Sequence, residues 1–226
     1  MKLPAHLAAC LIIGSGCMQA QSLPPNYKTT FENPDIIVMR VHYGAHEFVP
    51  MHDHSAYPTV YVYLNHSGVV DLTHVGPTGV TVHRPPTHTG AFRISPGMAE
   101  RHSVTNQGDV PSDFLRVELK RIPPDDLKEV FRGEAPAEPA TPGTKTEFQD
   151  SALKIERTQC PATESCTVPA SNQRSLLVSI GTTKVQVLGS ERTLASGDTI
   201  WLPAKESSSV RLSAGAQCLR VVLQYP

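Results

Sequence analysis

The chain has 226 residues, 20 of them proline, with 18% charged residues and a formal net charge of −1. So many prolines and so few charges exclude a long-helix protein or a charged disordered tail, and without a basic stripe or basic–aromatic interleaving a nucleic-acid partner is excluded as well. At roughly 150 residues per domain the length suits one large β domain or two small ones.

Taken in chain order, residues 1–20 read as a secretory signal: Lys2, an apolar run from Leu7 to Met18, then Gln19-Ala20-Gln21. The expectation is a secreted or periplasmic protein that starts near Gln21, with no later stretch long enough to span a bilayer. From residue 35 to 121 short apolar runs recur, including Ile36 to Val41, Val60 to Leu64, Val69 to Leu72, Gly79 to Val82, Gly90 to Ile94 and Phe114 to Leu119. Gly, Pro, Asn and Asp separate them, which is the punctuation of a sandwich or barrel. Strands this short and numerous need closure to protect their edges.

Residues 122–147 then read as a short helix followed by a Pro-rich linker. Pro123 to Gly133 opens on prolines and acids, puts Leu127, Val130 and Phe131 on one face and ends on glycine. Ala135 to Gly143 has no apolar period. Strand-like runs resume over residues 148–226, and a Gly-x5-Pro spacing, Gly90 to Pro96, returns as Gly197 to Pro203. Of the cysteines beyond the signal, Cys160 and Cys166 are the short-range pair, which leaves Cys218 as a buried hydrophobe or an intermolecular partner.

Nine of the ten histidines fall between His42 and His102. His52 and His54 are two apart, so a strand sends both to one face, where they can share an ion with His102 arriving from another strand. Three imidazoles leave positions open for water or substrate, as catalytic metal sites do. His42 and His46 are the best candidates to orient those ligands, and loop-like surroundings set His66, His74, His83 and His88 aside.

These residues resemble the cupin superfamily. Gly44, His52, His54 and Gly68 match its first motif loosely, and Gly90, Pro96, His102 and Asn106 match the second well. The resemblance implies an all-β chain of two small antiparallel jelly-roll barrels joined by the short helix and linker, the first (35–121) with a metal site and the second (148–226) a degenerate partner. Gly197 to Ala204 resembles the second motif, but the expected histidine is replaced within Lys205 to Ser209. The family's Glu ligand is also replaced. Thr59 or Tyr61 stands there, Glu100 is a more distant substitute, and Tyr61 is the residue read as catalytic. The implied cofactor is one divalent transition ion, Zn, Fe, Cu, Ni or Mn. The implied partner is a small-molecule substrate or ligand, with a homodimer left open. A metal-dependent dioxygenase, isomerase or lyase, a metal-free binding or structural cupin, and a passive metal-holding protein remain as alternatives.

Overall fold

The computed structural model describes residues 23–76, 79–136, 141–187, 189–204 and 210–224, and the expected signal segment lies outside them. Among the described residues the chain is all-β. The first half runs β1 (Tyr27–Glu32), β2 (Ile36–Tyr43), β3 (Phe48–His54), β4 (Thr59–Tyr63), β5 (Val70–His74), β6 (Thr81–Arg84), β7 (Phe92–Ser95), β8 (Glu100–Asn106) and β9 (Ser112–Leu119). Then follow β10 (Phe131–Gly133), β11 (Gly143–Gln149), β12 (Leu153–Gln159), β13 (Cys166–Val168), β14 (Ser175–Ile180), β15 (Thr183–Val187), β16 (Ser190–Leu194), β17 (Thr199–Leu202), β18 (Val210–Leu212) and β19 (Gln217–Leu223).

The strands form four antiparallel sheets. In the first half a large sheet, β1-β2-β9-β4-β7-β10, faces a small one, β3-β8-β5-β6, across a core containing Met39, Val41, Val49, Val70, Val104 and Phe114. In the second half β11-β12-β19-β14-β17 faces β13-β18-β15-β16 in the same order of strands, across Leu177, Val185, Ile200, Val210, Leu212 and Cys218. The echo hinted at by the repeated Gly-x5-Pro spacing is therefore a repeat of topology. Gly90 and Gly197 precede the equivalent strands β7 and β17 with φ of 81° and 83°, a left-handed conformation that favours glycine.

The two large sheets pack back to back. Ile36, Val38, Val117 and Leu119 of the first share one core with Leu153, Ile155, Leu176, Leu219 and Val221 of the second. Their strands are buried on both faces, which is why β14 reads as a nearly unbroken apolar run and β9 buries even Arg116 and Glu118, while the exposure of the outlying β6 alternates. Equivalent arginines clasp the joint: Arg40 of β2 donates to the Ser196 carbonyl at 2.9 Å, and Arg157 of β12 donates to the Gly90 carbonyl at 2.8 Å. Trp201 stacks on Phe31 across the same joint.

Three expectations need correction. Residues 123–133 are not a helix. They turn at Asp126, whose N–H reaches the Pro123 carbonyl, bury Leu127, and end as β10 on the edge of β7. A helix below about 12 residues is marginal alone, and the edge pairing also packs Phe131 between Phe92 and Phe148. The first barrel begins before residue 35, because β1 pairs with β2. Residues 143–147, expected in the linker, belong to β11, paired with β12.

Gly68 and Gly108 meet back to back. A Cβ on Gly68 would lie 2.7 Å from the Gly108 Cα, and neither backbone has a flexible side-chain end to yield. Gly68→Ala is expected to lower stability by about 1–3 kcal/mol. A denaturation midpoint unchanged from the parent would show that these loops separate freely. Cys160 and Cys166 are joined in a disulfide, and Cys218 is free. Burial pushes the Cys218 thiol up to about 12, so it holds its proton at neutral pH and is not a nucleophile. Iodoacetamide should label it only after denaturation, as read by peptide mass; labelling of the native protein would mean that this core opens readily.

Candidate metal centre

β3 brings His52 and His54 to the barrel interior by an irregular route. Strict alternation from the buried Val49 would turn positions 51 and 53 inward. The β3–β8 register instead shifts between Val49 and His52, at Pro50-Met51, and the shift exchanges the faces so that His52 and His54 are buried while Asp53 is exposed. Pro50 has no N–H to give to a ladder, which suits it to such a break. His102 of β8 stands directly opposite His52 in the register.

The three side chains, each buried, offer ligand nitrogens that all lie within 4.8 Å of one another. Their ring centroids are 4.8 to 5.0 Å apart. His52 Nδ1 sits 2.7 Å from the Pro50 carbonyl, an acceptor only, so Nδ1 carries the hydrogen and Nε2 keeps its lone pair. Both nitrogens of His54, and Nδ1 of His102, are buried without a hydrogen-bond partner among the described residues. Burial holds all three imidazoles in the neutral, ligating form. It pushes His102 down to about 3, helped by the neighbouring His52 and His74, and drives His54 and His52 down as well. A metal ion of borderline softness fits this donor set, because it would take up the nitrogen lone pairs that the protein leaves unsatisfied on His54 and His102.

Two residues that the spacing arguments did not select stand beside the triad. The Tyr27 hydroxyl of β1 lies 3.1 Å from His52 Nε2 and bonds to the Tyr43 hydroxyl. With the Nε2 lone pair as acceptor, Tyr27 donates to His52 and in turn accepts from Tyr43. Burial raises both phenols above their ordinary range, so they remain neutral donors. His74 of β5 is opposite His102 in the register, with ring centroids 5.2 Å apart. It extends the imidazole row across β3, β8 and β5.

The other candidates lie as follows. Tyr61 lines the cavity beside the triad, but its hydroxyl accepts from Arg116 Nη1 at 2.8 Å rather than meeting an imidazole. Arg116 is itself paired with the buried Glu118. Thr59 bonds to the Tyr57 carbonyl. Glu100 Oε2 approaches His102 Nδ1 to 3.8 Å, within reach of an electrostatic attraction. His42 and His46 do not orient the ligands; they bond at the surface to Asp113 and Asp109. In the second half, β13 and β18 turn Val168, Val210 and Leu212 into an apolar core, while residues 205–209, where the second histidine is replaced, lie outside the described residues.

No protein-family model and no curated protein matches the sequence. The fold does match solved structures. AerE from Microcystis aeruginosa is 12% identical with a TM-score of 0.58, over 88% of this chain and 97% of that one. YhaK from Escherichia coli is 13% identical with a TM-score of 0.56, over 84% and 85%. Salicylate 1,2-dioxygenase from Pseudaminobacter salicylatoxidans is 12% identical with a TM-score of 0.54, over 84% and 71%. The chain has the cupin fold. Within that fold His102, alone of the three histidines, lines a cavity with about 60 Å³ of room, together with Tyr27, Glu100 and Arg116 among others. On the order of four to six waters would fill it. Among the described residues no helix is long and apolar enough to cross a membrane.

Proposed function

We propose that this chain is an exported two-barrel cupin that holds one divalent transition ion through His52, His54 and His102 and uses it on a small molecule. The observation that carries the reading is the set of buried imidazole nitrogens without partners. In an interior where most polar groups are satisfied, such a cluster is costly unless something fills it. Three protein ligands leave coordination positions open, and one of the three, His102, borders the cavity. When bound, the ion supplies Lewis-acid or oxygen-activating chemistry. The chain's own residues contribute the rest: Pro50 orients His52 through Nδ1, Arg116 fixes the Tyr61 phenol at the cavity wall, and the apolar core around them excludes bulk water. One neighbour of similar fold is a salicylate 1,2-dioxygenase, and another structure of that protein is described as its adducts with gentisate. Small ring substrates and dioxygenation are therefore the first chemistry to screen. Export is proposed from residues 1–20, and the second barrel serves to cover the first.

The test is metal content after export to the periplasm, and again after reconstitution of the metal-free protein with Zn, Fe(II), Cu, Ni and Mn in turn, followed by a turnover screen with the ion that binds. About one equivalent is expected. No ion bound under any of these conditions would leave the metal-free binding or structural cupin as the account, a reading that the replaced Glu ligand favours.

A further inference from the structure

The cavity beside the triad carries cationic groups that its own walls do not neutralise. Arg116 is accounted for by Glu118 and Tyr61. Arg93 is not. It is 5% exposed, its Nε is buried without a partner, and it forms neither a hydrogen bond nor an ion pair among the described residues. Its guanidinium carbon lies 4.2 Å from the centroid of the Tyr61 ring, a cation–π contact. Arg84 of β6 lines the same cavity and also has no side-chain hydrogen bond or ion pair among the described residues. Burial and the Arg93 charge both work against its ionised form. Glu100 is the only carboxylate on this wall, and it lies against His102. Two adjacent guanidinium groups in a half-closed apolar cavity are retained at a cost that a buried charge normally avoids by pairing.

We propose that Arg93 and Arg84 bind the carboxylate of a small organic acid whose apolar body lies against Tyr63, Leu72 and Phe114. A guanidinium presents parallel N–H donors that match a carboxylate two at a time. The apolar walls favour an organic acid over inorganic phosphate, and the volume keeps that acid small. The site adjoins His102, so under the metal reading above it deepens that reading by naming the class of substrate. Anion binding itself does not require the ion.

The experiment is calorimetric titration of the full chain, metal-free and zinc-loaded, with propionate, benzoate, benzamide and inorganic phosphate, repeated on Arg93→Gln and Arg84→Gln. A carboxylate is expected to bind the parent, with benzamide and the Arg93→Gln variant on the order of 10- to 100-fold weaker. Zinc titration of Arg93→Gln should match the parent, which shows that the variant is folded. Equal binding of benzoate and benzamide, preference for phosphate, or carboxylate binding unchanged in both variants would overturn the proposal. The two readings fail separately. Zinc bound without any carboxylate binding removes this inference alone, whereas carboxylate binding that depends on Arg93 in a protein that takes no metal removes the metal reading alone.

Discussion

His54→Leu is expected to raise the stability of the metal-free protein while abolishing its response to metal. In the metal-free state both ring nitrogens of His54 are buried with nothing to bond to. Replacing an unsatisfied buried polar group by an apolar one of similar volume recovers about 1–3 kcal/mol, and for a chain of this size each kcal/mol moves Tm by roughly 2–4 °C. The parent should behave in the opposite way on adding its ion, because a ligand that binds only the native state stabilises it by RT ln(1 + [L]/Kd), about 2.7 kcal/mol at 100 Kd. The melting curves of parent and variant should therefore cross between chelator and excess metal. His52→Ala and His102→Ala should lose the ion too, as elemental analysis would show. Changing only a group that orients a ligand costs about 10- to 100-fold in metal affinity, and removing the ligand itself costs at least that. If His54→Leu destabilises the metal-free protein by several kcal/mol, the imidazole has a structural partner and the triad loses its claim to be a metal-ligand set.

Much of this site was legible before any coordinates. The two-residue spacing of His52 and His54 and the later His102 locate the three histidines that the structure brings together, and glycine-proline punctuation locates the strands. The reasons the rest was hidden are physical. Whether His52 and His54 face inward depends on the shifted register at Pro50-Met51, since regular alternation from Val49 would have turned them out. Tyr27 lies beyond any local motif: it reaches His52 because β1 pairs with β2 at the sheet edge, a contact across 25 positions. His74 joins the row because β5 aligns it with His102, and strand register is not written in the residues around it. The helical periodicity of residues 123–133 is real but too short to outweigh an available sheet edge and the ring of Phe92. Arg93 is silent in the sequence because a single arginine in a strand has no signature until its lack of a partner is seen.

The second half takes part in holding the site although it supplies no imidazole to it. Arg116 of β9 and Tyr61 of β4 line the cavity from the inner face of the large sheet, while Val117 and Val60, next to them in sequence, point outward into the core shared with the second barrel. A disturbance on one face of those strands is thus one pleat away from the other. Ile155 of β12 is fully buried in that shared core, and Ile155→Ala is expected to cost about 2–5 kcal/mol, or a fall in Tm on the order of 4–20 °C. Because the core belongs to both halves, the loss should appear as one transition. Metal release from the first barrel and loss of β-sheet signal from the whole chain should coincide in temperature and shift together. Were metal release to keep the parent's midpoint while half of the β signal melted early, the two barrels would be independent domains, and the back-to-back sheets would be a contact rather than a common core.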